Sequence, residues 1–394
     1  MSKRKSKRNK TIFFVIAGIC VLALIAEGLL LAGVFSKKKN PEKKGEKEPA
    51  EVTKPVEVTK EPTEEPTKEP PKDTITVWRE KKSTMYEGDK EYPLSEAEYD
   101  ENGNETRRVT YSGTDLDSEV VSTYDQENRI TRRETRKIYS WGGGQDASLF
   151  LDLYTYYENG DLKETVSRMS GAVGMNESKT EYTYDEMHRK TSEKQWLDTS
   201  LEEYTIATYE YNTIGKIALY QRVNSDGTDE WVTHYEYDSK GNCIREYGGS
   251  NSEGNSSQTL YTYDSKGNKI REVYYYNDQI ISALEYQYDN AGRMVQKFYG
   301  NAPSDNLDHY NTRYSYEYSD NGRLLRQTEY YGITAVLSDI GYEYDENGCV
   351  AKEINYESDG SVKSTAVYEY QAFELLPSQL TEREREWLAR EQGQ

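Results

Sequence analysis

Carboxylates and tyrosines carry whatever chemistry this chain has to offer. Seventy Asp and Glu and 37 Tyr stand beside only three His and three Cys in 394 residues. A carboxylate pair flanking a sugar bond is one chemistry such a composition allows, and an oxygen-lined calcium row is another. The spacing argues against both. Aspartates at 100, 125, 185, 238, 264, 289 and 345 each follow a tyrosine and precede Gly, Asn or His by three residues. That pattern matches neither an EF-hand loop nor a Gly-Gly-x-Gly-x-Asp repeat. A carboxylate repeated in every unit reads as a turn former. No nucleophile elbow, HExxH or phosphate loop is present. His188 occupies a turn slot, and His234 precedes a Tyr-x-Tyr strand. Cys20, Cys243 and Cys349 form no disulfide framework and no CxxC site. The sequence therefore offers no catalytic residue, no cofactor and no metal site, and the chain is read as a non-enzyme.

The elements that would position these residues come from an internal repeat. Taking the second tyrosine of Tyr-x-Tyr-Asp as anchor gives positions 99, 124, 156, 184, 211, 237, 263, 288, 318, 344 and 370. Tyr-x-Tyr alternation places both rings on one face of a strand. Asp followed three residues later by Gly is the pattern of a type I turn leading into a bulge with positive φ. Gly103, Gly160, Gly215, Gly241, Gly267, Gly292, Gly322 and Gly348 fill that slot. Asn128 and His188 replace glycine in two repeats, and both residue types tolerate the left-handed region. Gly249, outside the turns, is expected to be more tolerant of a side chain.

The expected fold is all-β: an antiparallel meander of about eleven hairpin repeats forming a long twisted or spiralling sheet, with an N-terminal transmembrane helix and a short C-terminal helix. Residues 74–86 are expected to cap the first edge. Residues 74–372 form the repeat array. Residues 373–394, with Thr381 and Glu384 as a capping box, are expected to form a helix over the last edge.

Residues 1–10 form a basic tail, and 11–35 are apolar apart from Glu27. Such a run is long enough to span a bilayer and is expected to be an uncleaved signal anchor. Residues 36–73, rich in Lys, Glu, Pro and Thr, bury nothing and read as a disordered stalk. This predicts a single-pass protein of the cell membrane, its C-terminal body at a bacterial cell surface. Residues 1–73 hold 16 Lys and Arg against 11 Asp and Glu, which leaves 34 against 59 for the body. A body so acidic excludes nucleic acid as a partner. The oligomeric state is not legible.

The anchors resemble the YD repeat of the Rhs and teneurin families, whose consensus centres on Tyr-x-Tyr-Asp-x-x-Gly and a following basic or polar residue. Arg129, Arg189, Arg293 and Arg323 stand in that last position. The resemblance covers about residues 74–372 and implies a spiralling β-sheet, which in large relatives closes into a hollow shell. The Rhs core segment with its Asp-Pro-x-Gly ending is lacking, and so is a toxin domain.

Two longer intervals between anchors supply the candidate ligand contacts. One holds Trp141 beside three glycines, and the other holds Tyr310. The expected function is a surface binding or adhesion module for cell-wall glycan or a protein, with loop aromatics touching the ligand. The alternative is a scaffold or shell fragment supporting a partner encoded elsewhere. A closed sheet with inward tyrosines would favour the shell, and an open sheet with an exposed row of rings would favour binding.

Overall fold

The computed structural model describes residues 74–394 except 142–143, 172–175, 198–201, 229, 251–254, 304–309, 333, 382 and 386–394. Its strands are β1 (Ile75–Glu87), β2 (Lys90–Tyr99), β3 (Glu105–Ser112), β4 (Asp115–Tyr124), β5 (Ile130–Trp141), β6 (Gly144–Tyr156), β7 (Leu162–Gly171) and β8 (Asn176–Tyr184). There follow β9 (Lys190–Trp196), β10 (Tyr204–Tyr211), β11 (Ile217–Asn224), β12 (Trp231–Tyr237), β13 (Cys243–Ser250), β14 (Ser256–Tyr263) and β15 (Lys269–Tyr276). The last are β16 (Gln279–Tyr288), β17 (Met294–Gly300), β18 (Thr312–Tyr318), β19 (Leu324–Tyr331), β20 (Ala335–Tyr344), β21 (Val350–Tyr356) and β22 (Val362–Leu375).

Each strand pairs antiparallel with the next in sequence, and β1 also pairs with β22. Their shared register runs from Ile75 opposite Leu375 to Tyr86 opposite Thr365. The sheet is therefore a closed 22-stranded barrel and not the long twisted or spiralling sheet expected from the repeat. The physical reason lies in β1. Read from sequence, it caps an edge; in the fold both of its edges are hydrogen-bonded, so the ring has no free edge to cap.

The C-terminal helix is corrected too. Strand β22 runs on to Leu375, and a 3-10 turn follows at Pro377–Gln379. Among the described residues beyond it, only 383–385 are helical. The Thr381–Glu384 box does form, with each backbone N–H donating to the other's side chain.

The single-pass placement in the cell membrane is corrected as well. The described body is a barrel of strands, and no helix among the described residues is long and apolar enough to cross a membrane. The basic tail, the apolar run 11–35 and the stalk 36–73 lie outside the described residues.

As a cylinder, 22 strands at about 4.8 Å spacing and about 40° tilt give a wall roughly 40 Å across. Among the described residues, the buried apolar side chains that cluster do so in two small groups, each from neighbouring strands: Val77, Phe373, Leu375 and Leu380, and Val273, Ala283, Phe298 and Tyr310. Others such as Val109, Trp196 and Leu324 are buried singly along the sheet. A sheet collapsed on itself would bury one whole face. Here the wall stands as a single layer.

Candidate binding surface

The ten turns that link even strands to odd ones share one construction and form one rim of the barrel. In each, the N–H at the Gly slot donates to the carbonyl at the Asp slot, as Gly241 does to Asp238 at 3.0 Å and Gly267 to Asp264 at 3.1 Å. The Asp carboxylate accepts backbone N–H bonds from two and four residues on, for example from Lys240 and Asn242 at 2.8 Å. The eight turn glycines have φ between 75° and 94°, and Asn128 and His188 have 62° and 61°. A register shift just before each anchor tyrosine marks the bulge that completes the turn.

The anchor rings are half-buried and knit one repeat to the one before it. Tyr99, Tyr124, Tyr156, Tyr211, Tyr237, Tyr263, Tyr288, Tyr318, Tyr344 and Tyr370 each donate their hydroxyl to a backbone carbonyl of the preceding repeat, at 2.6–3.0 Å. The remaining anchor, Tyr184, meets Tyr157 edge-on at 6.5 Å. The basic residue after the Gly slot reaches forward. Arg129, Arg189, Arg293 and Arg323 lie over the next anchor ring, with 4.7, 4.4, 5.1 and 5.3 Å from guanidinium carbon to ring centroid. The hydroxyls of these ten anchors are thus engaged within the wall.

The two faces of the wall differ. The residue just before the anchor tyrosine is exposed in every repeat. On that face Glu98 meets Arg107 at 2.9 Å, Glu343 meets Lys352 at 2.7 Å, and Glu236 meets Arg245 at 3.5 Å. Arg107 also reaches Glu119 on the following strand at 2.8 Å, so it bridges three strands. The exposed residue just before the anchor tyrosine is Glu, Thr or Gln in all eleven repeats, so that face is polar along its row of anchors.

On the tyrosine face, carboxylates alternate with rings across the strands. Glu193, Glu246, Glu272 and Glu353 stand directly opposite Tyr182, Tyr235, Tyr261 and Tyr342. Burial pushes the tyrosine hydroxyls up, Tyr235 and Tyr342 to about 12, with the adjacent carboxylates adding to the shift. Burial likewise raises Glu246 and Glu353 above the usual carboxylate range.

The candidate contacts of the long connections fare differently. Tyr310 is 3% exposed, its ring against Phe298 at 5.9 Å and its hydroxyl donating to Glu285 at 3.0 Å. It folds back on the wall beside Gly300 and offers no face to a ligand. Trp141 ends β5 opposite Gly144, and its side chain lies outside what the structure describes. The ring-and-carboxylate rows escaped sequence reading. Their signal was there in the Glu three residues after the bulge position, as in Lys269-Ile-Arg-Glu272.

No family model matches the chain, and no curated protein matches it. Solved structures that resemble it are distant. A TcdB2-TccC3-Cdc42 structure shares 12% identity at TM-score 0.25, over 78% of this chain and 21% of that one. A porin-like protein from Bacteroides uniformis shares 11% identity at TM-score 0.29, over 74% of this chain and 98% of that one. The chain thus spans about a fifth of the TcdB2-TccC3 chain it resembles. Likeness at these scores carries no functional argument, and the YD-repeat resemblance rests on the motif.

Proposed function

We propose that the chain is a structural shell, a closed β-wall that encloses or supports a partner encoded elsewhere, with its tyrosine face inward. The observation that carries this reading is the pairing of β1 with β22, which turns a row of hairpins into a ring. A ring of 22 strands is wide enough to hold a channel or a plug. On a closed wall the inner side chains converge and the outer ones diverge. The tyrosine face is the more buried of the two, as at Ala97, Ala207, Thr233 and Tyr286, while the alternate positions Glu98, Glu210, Glu236 and Gln287 are exposed.

Size-graded labelling tests it. Thr259 is on the tyrosine face, opposite Glu246, and Thr262 on the other. In a background without the native cysteines, Thr259→Cys should react with a small maleimide but slowly with one carrying a large polyethylene glycol. Thr262→Cys should react with both. Equal rates at the two positions with the large reagent would sink the inward assignment.

A second reading, recognition at the rim opposite the uniform turns, is favoured by one observation. Tyr331, Leu337 and Val362 there are 67%, 60% and 60% exposed.

A further inference from the structure

The four ring-and-carboxylate groups of the tyrosine face are built alike. In each, a glutamate stands opposite a tyrosine on the preceding strand. Its partner on the following strand is Ala207, Thr259, Leu284 or Ala366. A second tyrosine lies two residues past that partner, at Tyr209, Tyr261, Tyr286 or Tyr368. The result is a slot with a carboxylate at its base and a phenol ring on either side.

Two of these slots are filled by the protein's own lysine from the bulge position. Lys190 Nζ donates to Glu193 at 2.7 Å and lies 5.8 and 4.7 Å from the ring centroids of Tyr182 and Tyr209. Lys269 Nζ donates to Glu272 at 2.8 Å and lies 5.5 and 5.2 Å from those of Tyr261 and Tyr286. An ammonium between two rings and a carboxylate gains from both the π faces and the charge. In the other two slots the bulge position holds Cys243 and Val350, neither of which carries a charge. Tyr261 donates its hydroxyl to Glu246 at 3.3 Å. Among the described residues neither Glu246 nor Glu353 has a cation within ion-pair distance.

We infer that the Tyr235–Glu246–Tyr261 and Tyr342–Glu353–Tyr368 slots bind alkylammonium groups supplied from outside the chain, as Lys190 and Lys269 bind within it. The source is either a free polyamine or the lysine side chains of a polypeptide. Burial of both carboxylates without a countercharge fits a site completed by its ligand. The inference deepens the shell reading by naming the chemistry of what the wall holds. It depends on that reading only for where the partner sits, so the labelling experiment and the following one fail separately.

The test titrates cadaverine, and separately a short blocked peptide with one lysine, into the full chain at physiological salt, with melting temperature and calorimetry as readouts. Binding is expected for at least one probe. In the Glu246→Gln, Glu353→Gln double variant its affinity should fall by about tenfold or more, the scale of a lost charge-assisted contact. A Glu98→Gln, Glu343→Gln double variant changes net charge equally on the opposite face and should bind as before. Cys243→Lys with Val350→Lys should raise the melting temperature without probe and abolish the probe's effect. Cadaverine binding alone assigns the slots to free amines, and peptide binding assigns them to a polypeptide. No binding by either probe overturns the inference. So does binding that weakens equally in the two glutamine variants, because it is then only attraction to an acidic body.

Discussion

A phenol that donates its hydroxyl across a repeat boundary does two things at once. It buries a large ring and satisfies a carbonyl that the bulge has withdrawn from the ladder. Tyr263→Phe keeps the ring and removes the bond to Cys243, so it should cost about 1 kcal/mol in denaturant unfolding. Loss of cooperativity with no change in midpoint would contradict this. Glu353 acts in the opposite sense. Burial raises its carboxyl above the value it has in the unfolded chain. The folded state therefore holds this proton to higher pH, and stability falls as pH rises from the unfolded value through the folded one. Glu353→Gln should accordingly melt higher than the parent at pH 7, and the two should converge near pH 4. A variant that melts lower at pH 7 would show that the carboxylate has a partner in the fold. The turn aspartates were legible in the sequence because Asp and Gly at fixed offset suit only a few local conformations. The slots were not, because cross-strand neighbours come from register, which the bulges set.

Among the elements, the hairpins with the recurring Asp-to-Gly offset were readable, and Gly249 outside them was misread. Gly267 has φ of 92° with open space around it, so a side chain there meets only backbone strain. Gly249 lies in β13, not in a loose connection, and a Cβ there would stand 2.0 Å from the carbonyl oxygen of Asn255. The tolerance expected of it is therefore reversed. Gly267→Ala should destabilise by about 1–2 kcal/mol, the cost of a left-handed residue. Gly249→Ala should destabilise at least as much, since the opposing atom is backbone and has little room to move. Melting curves of the two variants check this, and a silent Gly249→Ala would contradict the strand register there. Composition could not reveal the difference, because both glycines sit among polar residues and neither flanks a proline.

For the whole molecule, repeat number and strand polarity were legible, but closure was not. Each repeat specifies its two neighbours, and nothing in a local pattern says that the first strand meets the last. The seam is held by Val77 against Phe373 and Leu375, and Arg79 reaches Glu384 at 3.2 Å. Val77→Asp places a charge in that cluster and should open the ring, with chains associating through the freed edges. Light scattering on purified variant should then report oligomers where the parent gives one species of its own mass or a fixed multiple. An unchanged mass would mean that the ring closes without its apolar clasp. Closure also imposes an order in time. Pairs between adjacent strands join residues a few to a few tens apart, whereas Ile75 meets Leu375 across 300 positions. During synthesis β1 is made first and its outer partner last, so for nearly the whole of translation it presents an unpaired edge. The growing sheet is most exposed to wrong partners at its oldest strand, and a slow, concentration-sensitive final step is the kinetic signature a ring of this kind carries.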